Sequence, residues 1–505
     1  MDSEITDFYK NKTIFLTGAS GFLGRLVIEK LLRVTEVKRI YILIRPKRGV
    51  EIQQRIDTFM SSFLFSEVSK SNPNYKDRLS PIAGDCALPD LGLSVANRKL
   101  LTEEVQVMFH SAATVSFEEP LSTAVHINVR GTRLLVQLAK QMPRLEAFVY
   151  VSTAFSNCVI EKIGERFYPE ILTCTADQMM SLNEQLSSDL INKMAPALLE
   201  KFPNTYTFTK ALAEQVVQTE GRDLPACVFR PCMIMPTFKD PIKGWIDNFY
   251  GPISVIYGSG FGVLRVMIFN KEAKGNVVPA DYCVNLTLAS AWHSAKQAAD
   301  RKVKMIESPE PTVYNYVPTE QNPIKWGKFM EFLDSRKHLY ALNQMVWYPF
   351  LLVTSNMKIF ELLIAVYHNF PAFLIDTWLR LRGQQPRMKK IYSKIHRGIR
   401  NITPFGITDW TFEMNNFERL MRCMSPQDQK LFGFDLRVLD WSEYFNSSLY
   451  GFRVFLAKEN VTEESLRSGK KRFDRLLILN YLVHFVALSI PAGMVWCLLH
   501  LLNIV

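Results

Sequence analysis

The stretch Lys12-Thr-Ile-Phe-Leu-Thr17-Gly18-Ala-Ser20-Gly21-Phe22-Leu23-Gly24-Arg-Leu-Val-Ile-Glu-Lys-Leu-Leu32 runs from an apolar strand through three glycines into a helical pattern. In such a GxxGxxG turn the glycines let the backbone fold tightly and approach a pyrophosphate. The phosphates then rest on the unpaired N–H groups of the following helix. Ile14-Phe-Leu before the turn and apolar residues at helical spacing after it supply the context the motif needs. Thr17, Gly18, Ser20, Gly21, Phe22, Leu23 and Gly24 are therefore the first candidate dinucleotide-binding residues.

Outward from this turn, β-rich runs alternate with helical periodicity through residue 235. Strands are expected at 12–16, 39–44, 79–83, 105–110, 147–151 and 226–229. That alternation implies an α/β fold, a Rossmann-type doubly wound parallel sheet. The second strand ends Ile44-Arg45-Pro-Lys47-Arg48, with no acid until Glu51. A site for an unphosphorylated ribose usually places Asp or Glu there. Arg45 and Arg48 instead suit a 2′-phosphate, so the expected cofactor is NADPH. Asp85, after the third strand, is placed to accept from the adenine amine. Ala112, Ala113 and Thr114, after the fourth, are small enough for close passage of the cofactor. His110 reads as a strand histidine, and Asn128 as a brace or a helix-packing residue.

Between the fifth and sixth strands stands Tyr206-Thr-Phe-Thr-Lys210. Hydride delivery to a carbonyl builds charge on oxygen, which a positioned donor must meet. A tyrosine alone is a weak acid, with a pKa of about 10. A lysine one helical turn later faces the same side and stabilises the tyrosinate. Ser152 or Thr153, at the end of the fifth strand, would hold the carbonyl oxygen, with Thr153 preferred because it lies further past the strand. Tyr206, Lys210, Thr153 and Ser152 form the candidate catalytic set, and Tyr206 and Lys210 also border the cofactor.

The chain has 505 residues and a net charge of +11, which favours phosphate-bearing ligands or an anionic membrane face. The basic residues are scattered without an interleaved aromatic stripe, which argues against nucleic acid. No cysteine pair has CxxC spacing and no metal cluster is expected. Composition divides the chain into a nucleotide-binding domain at 1–235, a substrate lobe at 236–338, an apolar segment at 339–381 that reads as a buried helical hairpin or a membrane-surface element, and a small helical domain at 382–457. From Leu476 onward no Lys, Arg, Asp or Glu occurs, and Lys470-Lys-Arg472 and Arg475 precede that run. A transmembrane anchor over 476–502 is expected, with the body cytosolic. Endoplasmic reticulum and peroxisomal membranes both fit, and homodimerisation stays open.

These residues resemble the extended short-chain dehydrogenase/reductases, and within them the alcohol-forming fatty acyl-CoA reductases. The resemblance is carried by Thr17–Gly24, His110–Val115, Tyr150–Thr153 and Tyr206–Lys210. Arg230-Pro231, Gly244-Trp-Ile-Asp-Asn-Phe-Tyr-Gly-Pro252, Val278-Pro-Ala-Asp281 and Trp347-Tyr-Pro349 extend it, as do Phe434-Asp435 and Trp441. It implies NADPH-dependent reduction of a long-chain fatty acyl-CoA to a primary alcohol through an aldehyde, with release of CoA. Two other readings share parts of the pattern. A membrane-bound hydroxysteroid or sterol dehydrogenase would not need residues 382–457, and a catalytically silent lipid-binding relative would not need an intact Tyr206/Lys210 pair.

Overall fold

Seven strands form one sheet: β1 Thr13–Thr17, β2 Arg39–Ile44, β3 Leu79–Ala83, β4 Val107–His110, β5 Ala147–Val151, β6 Ala226–Pro231 and β7 Thr312–Tyr316. Their order is β7–β6–β5–β4–β1–β2–β3, and every pairing is parallel. All residues of β1, β4, β5 and β6 are buried. This is the burial of strands covered on both faces, and it explains their unbroken apolar runs. The order reverses between β1 and β4, and in such sheets the ligand crevice opens at the carboxyl ends of the strands flanking that point. The computed structural model describes residues 3–46, 49–304 and 310–501.

Six strands fall where the alternation of the sequence puts them, within two residues. The seventh, β7, comes from residue 312 onward and pairs with β6 at the sheet edge. The unit that contains the sheet is accordingly discontinuous: it takes in Met1–Trp245, Lys274–Ile324 and Asp409–Leu439. Its last segment is stitched in by polar contacts. The Tyr316 hydroxyl donates to the Phe434 carbonyl (2.7 Å) and Asn285 Nδ2 to the Gly433 carbonyl (2.8 Å). Thr411–Phe412 also pairs with Lys162–Ile163. Residues 382–457, expected as one helical domain, are thus divided. Phe434 packs on Tyr316 in the first unit, whereas Trp441 stacks on Phe445 in the second.

Residues 158–203 hold two capped helices, Ala176–Gln185 and Ser188–Leu199. Met179, Met180 and Ile191 from them share a core with Phe208, Leu212 and Val216 of helix Thr205–Glu220. The insert therefore backs the helix that carries Tyr206 and Lys210.

The second unit comprises Ile246–Ala273, Lys325–Thr408 and Asp440–Val505. It contains a helix Met357–Leu381, long and apolar enough to cross a membrane by length and composition. A basic helix Met388–Ile407 and a 39-residue helix Glu463–Leu501 follow. The run expected as an anchor, 476–502, lies in that last helix except for its final residue, which is outside the described residues.

Candidate active site

The glycine turn owes its shape to close contacts that exclude side chains. Gly18 has φ +76°, and a Cβ there would lie 2.7 Å from the Ala112 backbone nitrogen. A Cβ on Gly24 would fall 2.3 Å from the Gly18 carbonyl oxygen. Helix Phe22–Val34 starts directly after Gly21, with no side-chain cap and no acid in its first turn. Its unpaired N–H groups and positive dipole end are thereby left for an anion. A dinucleotide's pyrophosphate fits that cradle. Trp245 stacks on Phe22 of the same turn, with centroids 5.2 Å apart and planes at 17°.

Thr17 and His110 lock β1 to β4. The Thr132 hydroxyl donates to the Asn128 carbonyl (2.6 Å), so it accepts from His110 Nε2 (2.9 Å). His110 Nδ1 then accepts from the Thr17 hydroxyl (2.8 Å), which itself accepts from the Ala112 N–H (3.2 Å). Burial pulls the His110 pKa down to about 3, which keeps the ring neutral. His110 is a strand histidine here, and Thr17 braces the loop of Ala112 and Ala113 from beneath.

Arg45 Nε lies 2.9 Å from Asp85 Oδ2, and the Arg45 side chain is otherwise mostly exposed at the mouth of the crevice. The carboxylate and guanidinium therefore face one another at the ends of β2 and β3, where both were expected to meet the adenosine half of the cofactor. Arg48 lies outside the described residues.

Helix Thr205–Glu220 opens one residue before Tyr206, with Asn204 Oδ1 accepting from the Thr207 N–H (2.9 Å). That cap sets the register of the helix that carries Tyr206 and Lys210. A second tie comes from Asn128. Its Oδ1 accepts from the Thr114 N–H (2.9 Å), and its Nδ2 donates to Thr209 Oγ1 (2.9 Å). Asn128 thus acts as the brace between the β4 loop and the helix of Tyr206.

Tyr206 is half-buried, its ring beside Phe117 (5.9 Å), and the Thr153 side chain favours its phenolate against the larger opposing effect of burial. Burial pushes its pKa up to about 12, so the phenol holds its proton at neutral pH. Lys210 Nζ donates to the Val151 carbonyl (2.7 Å) and sits 4.7 Å above the Tyr150 ring. Burial pulls its pKa down to about 7, against the opposing pull of Glu214.

Ser152 and Thr153 face different partners. Ser152 Oγ donates to Glu214 Oε1 (2.5 Å), as does Ser156 Oγ (2.8 Å). Arg230 completes this cluster with bonds to both Glu214 oxygens (2.9 and 2.6 Å), and neither side chain reaches solvent appreciably. Arg230 also donates to the Gly164 and Arg166 carbonyls, so the buried pair has further partners. Reading motifs one at a time missed Glu214. The available signal was its spacing: 206, 210 and 214 form one stripe of the helix.

Comparison with known proteins gives a consistent set of likenesses. An NAD-binding family model described as "Male sterility protein" matches residues 16–287, and a second model of that description, "Sterile", matches 367–459. "Fatty acyl-CoA reductase wat" of Drosophila melanogaster is 39% identical over 500 residues, covering 99% of this chain and 94% of that one. "Fatty acyl-CoA reductase 1" of Homo sapiens is 34% identical over 501 residues, covering 97% and 95%. Among solved structures, the terminal R domain from the myxalamid PKS-NRPS pathway aligns with TM-score 0.58 at 19% identity, covering 90% of this chain and 93% of that one. At that identity the likeness speaks for the fold alone.

Proposed function

Because the chain belongs to the fatty acyl-CoA reductase family, and so is an oxidoreductase with a nicotinamide cofactor, we propose that it reduces long-chain fatty acyl-CoA to the primary alcohol with two NADPH. The observation that carries this reading is Lys210 tied to the Val151 carbonyl at the carboxyl end of β5, one helical turn after Tyr206 on the same helix. When bound, the reduced nicotinamide supplies hydride to the carbonyl carbon. Tyr206 gives its proton to the thioester oxygen as charge develops there, and Thr153 holds that oxygen. The hemithioacetal hydroxyl returns its proton to the tyrosinate as the carbonyl re-forms, the carbon–sulfur bond breaks, and CoA thiolate leaves an aldehyde. A second hydride reaches the aldehyde carbon, and Tyr206, protonated again by that collapse, protonates oxygen. The ammonium of Lys210 stabilises the tyrosinate after each transfer.

Arg45 supports the choice of NADPH, since its guanidinium lies where an acid would otherwise bind the ribose hydroxyls. The uncharged run after Leu476 supports a membrane anchor, and Lys470, Lys471, Arg472 and Arg475 before it support a cytosolic body.

Purified protein supplied with stearoyl-CoA and NADPH tests the reaction. Fatty alcohol, with two NADPH oxidised per CoA released, is the expected result. Aldehyde as the sole end product, or turnover without CoA release, overturns it.

A further inference from the structure

Helix Met357–Leu381 has the reverse of the polarity expected for a helix packed on a protein and facing water. Its inward positions recur every four residues: Phe360, Ile364, His368, Ala372 and Asp376. Two of these are among the most polar residues in the segment, and both are fully engaged. His368 Nε2 accepts from the Arg265 backbone N–H (3.0 Å), so its proton sits on Nδ1 and is donated to His396 Nε2 (2.9 Å). Asp376 accepts from the backbone N–H groups of Arg387, Met388 and Lys389, each at 2.9 Å, and so caps the next helix.

Between Leu362 and Leu379 the outward positions are apolar apart from Asn369. Leu362, Val366, Phe370, Phe373, Trp378 and Leu381 are between 50% and 83% exposed. From Leu362 to Leu379 the only charged residue is Asp376, which is turned inward. Water-facing helices show polar residues and bury apolar ones. Lipid reverses that preference.

Charge follows directly. From Arg380 to Arg400 there are eight Lys and Arg and no acid. Lys389, Lys390, Lys394 and Arg397 on helix Met388–Ile407 are exposed. Arg382 lies over the Trp378 ring (4.3 Å), an aromatic–cation pair suited to headgroup depth. The apolar surface also continues beyond the hairpin. Tyr367 packs on His484 of helix Glu463–Leu501 (6.1 Å), within the stretch where Ile478, Leu482, Phe485 and Val486 are exposed.

We propose that the hairpin of Met357–Leu381 and Met388–Ile407 lies in the plane of a membrane surface, its apolar ridge at the acyl boundary and its cations on anionic phospholipid headgroups. An in-plane position follows from the inward face, which is held along its length by Arg265, His396 and the cap of the next helix. A transverse crossing would expose those polar partners to hydrocarbon. This docking surface adjoins the start of the anchor after Leu476 and is independent of the reaction catalysed.

The full chain, reconstituted into phosphatidylcholine vesicles with and without phosphatidylserine, tests this. Benzoylphenylalanine in place of Leu362, Phe370 or Phe373, and in place of Glu103 as a control, reads the contact by photocrosslinking. Lipid adducts well above the control at all three ridge positions are expected. Adducts to a second copy of the chain or to another protein, or yields equal to the control, overturn the proposal. The double variant Lys389→Glu/Lys394→Glu should lower the lipid yield about fivefold or more in phosphatidylserine vesicles, and leave it unchanged in phosphatidylcholine alone. Equal yields from variant and parent in both lipids would overturn the assignment to anionic headgroups.

Discussion

Burial pulls Lys210 to about 7 while pushing Tyr206 to about 12, so the two groups titrate on opposite sides of the neutral range. The tyrosine stays protonated and ready to donate, whereas the ammonium is lost as pH rises through about 7. kcat/KM for the cofactor, which reports the free enzyme, should therefore decline across that pH, and the Lys210→Met variant should show a low, flat profile. Stability moves the other way. Between about 7 and the unfolded value of 10.5 the unfolded chain binds the extra proton, so the fold gains stability with rising pH in that window and is level below it. Denaturant midpoints at both ends of the window should show the slope, and Lys210→Met should remove it. Tyr206→Phe should lower turnover about 10²–10⁴-fold while cofactor affinity, measured by fluorescence titration, hardly changes. At Arg45 the expected result concerns choice between cofactors. Arg45→Glu exchanges a charge-assisted bond for repulsion, so the ratio of kcat/KM for NADPH over NADH should fall about 10–100-fold.

Among the elements, the backbone of the loop from Thr237 to Trp245 is pinned by a side chain at the start of helix Ala280–Lys304. Asp281 is buried and accepts from the backbone N–H groups of Phe238, Lys239 and Asp240 (2.9–3.1 Å). Trp245 at the end of that loop stacks on the glycine turn. Asp281→Ala leaves one buried and two partly buried backbone donors without this partner, at about 1–3 kcal/mol for the buried one before water enters. It should raise the cofactor Kd and speed amide exchange through 237–245, with the sheet left protected. The strands and the glycine turn were legible from sequence because each is written in a local pattern: an apolar run, a spacing, a cap. The Asn128 tie to Thr209 and the Glu214–Arg230 pair were not, since each partner is chosen only when distant elements close on one another. Ser152 illustrates the difference. Its place at a strand end was readable, but its attachment to Glu214 depends on where helix Thr205–Glu220 comes to rest.

For the molecule as a whole, linear composition was a weaker guide than local pattern. Residues 409–439 look like part of a small helical domain, yet they complete the nucleotide-binding unit, because Phe417 and Phe434 find their aromatic partner in Tyr316. The apolar tail was legible by composition alone. If it anchors the chain, the protein should resist alkaline carbonate extraction from membranes, and a version ending before Leu476 should be released. The edge strand β7 also bears on how the chain is made. Its pairing with β6 joins residues 85 apart, and the groups that secure Tyr316 and Asn285 come more than a hundred residues later. With synthesis at ~5–20 residues per second, β6 stands as an open parallel edge for seconds while the rest is translated. Such an edge invites strand addition from other chains. Nascent protein halted before Phe434 should therefore engage chaperones and aggregate far more readily than the finished chain.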